Sequence, residues 1–413
     1  MWKLLVVVAL VLLIMLSAVA GSSLLVKNND WDRIASAYSF NIIQWEFENL
    51  FRKWTYRAGQ VFHPSELSGA ETIQLVKDYL SLAQEISFLE TRINREKAEG
   101  TASARDIAIW EEQIAALRAD SEEREAQVEE IIEGQISAVL ADEGLATTLK
   151  LGGEAEFLFP PLDFEFDDIP NLLIISPRHT IEIVDTTLLR SNMTLEEIME
   201  VEGGVEELGF SALVEPIGGV ATYPSIVPPM HSLQGLLSKI AHEWMHHYLF
   251  FRPLGQGYWS NYDMTTINET VAGIVGDEIG LLVYQRYYGG DKEEVALPEG
   301  DVEPAFDFSK EMRQIRLAVD QYLAREEIEE AKRYMEESRQ YLAVNGYYIR
   351  KLNQAYFAFY GTYADTPSSV NPIGGQLQEL REQSPSLVDF IRTISRISSY
   401  EELLELVGDE STT

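Results

Sequence analysis

Apolar side chains recur every three or four positions over most of this chain, which predicts helices. Leu75, Tyr79, Leu82, Ile86, Leu89 and Ile93 follow a 4-3-4-3-4 spacing. A second seam runs through Ile107, Trp110, Ile114, Leu117, Val128 and Ile131, with charged residues elsewhere. "KAEGTASARD" interrupts the two. Two seams joined by a Gly-containing turn predict an antiparallel helical hairpin over about residues 71–141. A prop or spacer is its simplest role; docking a protein partner is the alternative. Upstream, "WDRIASAYSFNIIQWEFENLFRKWTYRAGQVF" carries aromatics at helical spacing and predicts one or two buried helices.

The pattern changes after Gly144. "LLIIS" and "TIEIV" read as short strands, and residues 195–207 as a helix. "SALVEPIGGVATYPSIV" reads as two strands around Gly218-Gly219, a hairpin signal. From residue 305 onward the pattern is again helical. The fold class is therefore α+β and mostly helical. Its expected parts are 1–26, a helical region 27–145, a mixed domain 150–300, and a C-terminal helical region 301–413.

The first 26 residues set an expectation about placement. After Lys3 no charge appears until Lys27. Residues 4–26 would make a helix of roughly 35 Å, enough to span a bilayer. That predicts a membrane anchor with the rest of the chain outside the cytoplasm. The alternative is a signal peptide cleaved after Ala20, since Ala18-Val19-Ala20 is an A-x-A pattern.

Composition narrows the chemistry. The 413 residues carry a formal net charge of −35 and no cysteine. Such a charge repels phosphate backbones and argues against a nucleic-acid partner. The missing cysteine excludes disulfides, thiol catalysis and thiolate metal ligands. Only six histidines are present, and three fall within "AHEWMHHYLFF".

His242 and His246 are four apart, so on a helix they lie on one face, one turn apart. Two imidazoles so placed can bind one divalent metal. Glu243 lies about 100° round the helix, where it can take a proton from a metal-bound water. "LQGLLSKIAHEWMHHYLFF" is a plausible helix, with Leu236, Leu237, Ile240, Ala241 and Trp244 as its buried face. It should end before Pro253.

A zinc site needs a third protein ligand and an open position. The remaining histidines are His63, His179 and His231. A better candidate is Glu269, 23 residues after His246 and opening the next helix in "TTINETVAGIVGDEIGLL". Gly273, Gly276 and Gly280 share its face, and each Gly costs roughly 1 kcal/mol of helix propensity against Ala. The stripe therefore suggests close packing on the histidine helix, which would carry Glu269 to the metal. The alternative is that Glu269 only caps its helix. Glu278 and Asp277 point elsewhere.

"HEWMH" followed by "NETVA" resembles the zincin metallopeptidases of gluzincin type, of which thermolysin-like and aminopeptidase N-like enzymes carry versions. The resemblance covers about residues 170–290. It implies a zincin-like domain with a small sheet. It also implies one zinc per chain on His242, His246 and Glu269, with Glu243 as general base. An edge strand near "GGVATYPSIV" would bind extended substrate. This chain departs from the thermolysin-like pattern at Gly273, where an aspartate would orient a ligand histidine. It also lacks the G-A-M-E-N aminopeptidase signature, so exopeptidase and endopeptidase action both stay open.

Peptide hydrolysis also needs a group to stabilise the oxyanion. Tyr360, Tyr363, Tyr258, Tyr262, His231 and His247 are the candidates; His247 otherwise is a packed residue. Asn192-Met193-Thr194 and Asn268-Glu269-Thr270 match the glycosylation pattern by coincidence. The expected function is an extracytoplasmic zinc peptidase acting on a peptide or protein substrate. The alternative is a non-catalytic binding protein that acts through the helical hairpin.

Overall fold

The computed structural model describes residues 29–62, 67–99, 101–150, 154–230, 232–289, 306–363, 366–367 and 369–408. Helices α1 (Asp30–Ala35) and α2 (Ile42–Phe62) lead into α3 (Gly69–Glu99) and α4 (Ala104–Leu140). Strands β1 (Thr147–Lys150), β2 (Glu154–Phe157), β3 (Phe164–Phe166), β4 (Asn171–Pro177) and β5 (Asp185–Leu189) follow. Next come α5 (Leu195–Glu207), β6 (Phe210–Pro216), β7 (Ser225–Val227), α6 (Leu233–Phe250), the short α7 (Pro253–Gln256) and α8 (Tyr262–Tyr287). The chain closes with α9 (Phe308–Ala324), α10 (Ile328–Val344), α11 (Gln354–Tyr360), α12 (Ile373–Gln383), α13 (Leu387–Ile394) and α14 (Tyr400–Val407). The class is α+β and mostly helical, as the periodicity predicts.

The hairpin is α3 against α4. Ser103 caps α4 in a reciprocal capping box with Asp106, which fixes the turn. Cross-helix pairs Glu90–Arg118 and Lys97–Glu111 record the antiparallel register. Its outer half has a small core of its own, Leu89, Ile93 and Ile114. Its inner half is not a free arm. Val76, Tyr79, Val128 and Ile132 join the main core with Leu236, Ile240 and Trp244 of α6, Val271 and Ile279 of α8, and Leu377 and Phe390.

The three-stranded sheet has the order β5-β4-β6, antiparallel throughout. Alternation sends Leu173 and Ile175 to one face, where they meet Ala35, Val201 and Val205. Ile174 and Leu213 face the other way, onto Met312, Val319, Met335 and Phe357. Two expectations are corrected here. "TIEIV" is not a strand: Ile181 and Ile183 pack on that second cluster, and pairing with β4 starts at Asp185. Nor does a hairpin form about Gly218-Gly219. β6 pairs with β4, whereas β7 pairs in parallel with β3.

The buried upstream helix is buried only in part. Ile43, Phe47 and Phe51 lie four apart on α2 and are exposed. Among the described residues no helix is long and apolar enough to cross a membrane. That finding corrects the expected membrane anchoring, and the extracytoplasmic placement built on it goes no further. Residues 4–26, with both the anchor and the Ala20 cleavage expectation, lie outside the described residues.

The opposite side of α2 carries a buried ion network. Lys53, 4% exposed, donates to Glu133 and to Asp163 Oδ1 at 2.9 Å, and also to the Phe164 carbonyl. Arg57 donates to Glu133, Asp163 and Glu130. Glu133 accepts from Phe164 N at 3.0 Å and Glu129 from Phe166 N at 2.8 Å, so β3 is tied to α4. Burial pushes Glu133 up to about 8 and Glu129 up to about 7, against the pull of Lys53.

These directions set a pH dependence. Above the ordinary value of 4.5 the unfolded chain has released protons that folded Glu133 and Glu129 still hold. Stability therefore falls as pH rises from about 5 to about 8. Urea denaturation across that range should show the decline, and Glu133→Gln should flatten it. An equal slope in wild type and variant would remove Glu133 from this role.

Candidate metal centre

Helix α6 begins where Ser232 accepts a hydrogen bond from Gly235 N at 3.0 Å, and it ends at Phe250 ahead of Pro253. Leu236, Leu237, Ile240, Ala241 and Trp244 are all buried, as the pattern predicts. The Trp244 indole donates to the Pro160 carbonyl at 2.9 Å, which pins the rotation of the helix. Helix α8 starts at Tyr262, capped by Asn261. Glu269 is thus two turns inside the helix rather than at its start, and capping does not account for it.

Glycine lets the two helices meet. A Cβ on Gly276 would come within 2.7 Å of the Ser238 carbonyl oxygen and 3.0 Å of His242 Cβ. One on Gly280 would come within 2.6 Å of Ser238 N. Gly273, the third member of the expected stripe, has nothing within 4 Å and takes no part.

The approach brings together His242, His246 and Glu269. Their facing atoms are separated by 3.1 Å (His242 Nε2 to His246 Nε2) and by 3.6 Å from each ring to Glu269 Oε2. Ligands about 2.0–2.1 Å from a tetrahedral zinc lie roughly 3.3–3.4 Å apart, so the three atoms fit one face of such a site. The His242 and His246 side chains keep 12% and 14% exposure, an opening for a further ligand. Two imidazole nitrogens and a carboxylate oxygen make a donor set suited to zinc.

Two of the three side chains are held from behind. His246 Nδ1 lies 2.8 Å from Asn268 Oδ1. The amide oxygen can only accept, so Nδ1 carries a proton and Nε2 is the nitrogen turned to the cluster. The Tyr258 hydroxyl donates to Glu269 Oε1 and leaves Oε2 for the histidines. Burial opposes charge on both ring and carboxylate. Their mutual attraction outweighs it, lowering Glu269 well below its ordinary range and raising His246 to about 9. The cluster attracts positive charge.

Glu243 is 4% exposed and lies beneath the loop after β6. A Cβ on Gly219 would come within 2.8 Å of its Cδ. Gly219 thus provides clearance over this carboxylate rather than forming part of a hairpin turn.

The other sequence candidates are elsewhere. His247 packs on Tyr223, with ring centroids 5.7 Å apart. Both its nitrogens are buried without a hydrogen-bond partner, the Thr222 and Ala221 backbones lying alongside out of bonding geometry. Burial holds it down to about 4, so it stays neutral. Tyr262 faces a cavity of about 360 Å³ shared with Arg316, Gly361 and Asn371. Tyr360 packs at a tilt against Tyr356, centroids 4.4 Å apart. Burial, together with Glu269 and the nearby Tyr363, raises the Tyr258 hydroxyl well above its ordinary range. His179 is exposed. Glu278 binds Arg381. His231 and His63 lie outside the described residues. A second acidic group, Glu125, Glu129 and Glu165, is paired with Arg52 and Lys53.

Sequence reasoning missed the orienting role of Asn268. The signal was present in "NETVA", where the residue before the ligand lies about 100° round the helix, toward His246. It named Tyr258 only as an oxyanion candidate, because spacing alone does not show that the turn before α8 folds back onto Glu269.

Zinc titration tests this set. Glu269→Ala should abolish stoichiometric binding, and Asn268→Ala should weaken it about 10- to 100-fold. Unchanged affinity in Glu269→Ala would move the third ligand elsewhere.

No family model matches the chain, and no curated protein or solved structure matches it, so the metallopeptidase resemblance stands on these residues alone.

Proposed function

We propose that this chain is a zinc-dependent peptidase. The observation that carries the reading is the convergence of His242, His246 and Glu269 at zinc-like separations with Glu243 beside them on α6. Zinc held by those three residues would supply a Lewis acid that makes a water acidic and polarises a peptide carbonyl. Glu243 would accept a proton from the attacking water as the water oxygen meets the carbonyl carbon. It then gives the proton to the departing nitrogen as the C–N bond breaks, so one water is consumed for one acid and one amine. Asn268 and Tyr258 keep His246 and Glu269 from rotating away from the metal. The near-complete burial of Glu243 excludes competing water.

A second reading keeps the metal frame but assigns the work to the hairpin as a protein-docking arm. Phe88 and Ile109, exposed on α3 and α4, favour it.

Glu243→Gln separates the two. It preserves shape and removes the base, so the variant should bind zinc as the wild type does and lose hydrolysis of a peptide library by about 100-fold or more. A zinc-loaded wild type that cleaves nothing would favour the docking reading.

A further inference from the structure

One turn before Glu243 on the same helix face stands Lys239. Its Nζ is 3.9 Å from Glu243 Oε1, with the lysine side chain 26% exposed and the carboxylate side chain 5%. Helix stability does not explain the pair. Lysine four residues before glutamate is the weaker order along a helix. The loop above is shaped around both groups. A Cβ on Gly218 would come within 2.9 Å of the lysine Nζ, and one on Gly219 within 2.8 Å of the glutamate Cδ. Two consecutive glycines therefore seat two consecutive turns of α6, a cation under one and a carboxylate under the other.

We propose that Lys239 is a positioning residue for Glu243. A glutamate has three rotatable side-chain bonds, whereas a general base must be held within hydrogen-bond reach of one water. The ammonium attracts Oε1, the glycine roof closes the space above, and the second oxygen is left to take the proton. The carboxylate end of the pair is buried and the lysine end partly exposed. This inference rests on the peptidase reading and names a residue that motif matching does not include.

The test compares wild type, Lys239→Met and Lys239→Arg, all zinc-loaded. Zinc content, denaturation midpoint, kcat and KM on a cleaved peptide, and the calorimetric Kd of a peptidyl hydroxamate are measured. Lys239→Met should lower kcat about 10- to 100-fold with KM and zinc content unchanged, and should weaken hydroxamate binding. Lys239→Arg should restore most of both. An unchanged kcat in Lys239→Met overturns the proposal. So does a change in KM alone, which would place Lys239 on the substrate. A loss that follows zinc or stability and is not rescued by arginine shows a structural role and also overturns it. A zinc-loaded wild type that neither cleaves peptides nor binds the hydroxamate overturns the peptidase reading itself, and the inference with it.

Discussion

Everything at the candidate centre depends on how closely α6 and α8 approach. A metal face of about 3.4 Å tolerates little displacement of its corners, yet His242 and His246 are on one helix and Glu269 on another. Gly276 and Gly280 remove the side chains that would hold the helices apart, and Ser238 and His242 occupy the space gained. The backbone-entropy cost of those glycines, roughly 1 kcal/mol each, is offset by the packing they permit. Close approach also leaves the surroundings little freedom. Both helices share one core with the inner half of the hairpin and the last helices of the chain, which hold the facing side chains in place.

The hairpin therefore belongs to the frame of the centre. Its inner half meets α6 and α8 through Val128, Ile132 and Ile136, and it meets β3 through Glu129 and Glu133. β3 pairs with β7, and β7 leads through a short connection into α6. The Lys53 network thus lies on the route that positions the histidine helix. Breaking one partner of such a network is strongly destabilising, because the remaining charges stay buried.

The sequence made the helices legible because burial there has a simple period. The hairpin seams, the apolar face of α6 and the helix at residues 195–207 all follow from spacing. Spacing also placed His242, Glu243 and His246, which depend only on one helix. It was weaker wherever a residue's role depends on another segment. The apolar run "TIEIV" alternates like a strand but is captured by the α9–α11 cluster. Gly218-Gly219 has turn chemistry, yet its neighbours β6 and β7 find different partners. Gly273 shares a helical face with Gly276 and Gly280, yet a Cβ there would meet nothing within 4 Å. Helix phase tells which residues share a face and not how tightly each is packed.

The glycines on either side of the centre carry the same lesson into its chemistry. Gly276 and Gly280 exclude side chains so that backbone and ligands can meet, whereas Gly218 and Gly219 exclude them so that Lys239 and Glu243 can lie flat under a loop. A zinc with Glu243, Glu269 and Lys239 around it would leave the pocket with a net charge near +1, inside a chain whose formal charge is −35. On the proposed reading, the surrounding negative charge would attract cations at a distance. At short range the pocket would be complementary to negative charge developing on a carbonyl oxygen. Attraction at a distance and stabilisation at contact thus have opposite signs. The separation is maintained because the carboxylates that would bridge them are committed: Glu269 to Tyr258 and the histidines, and Glu243 to the space beneath Gly219.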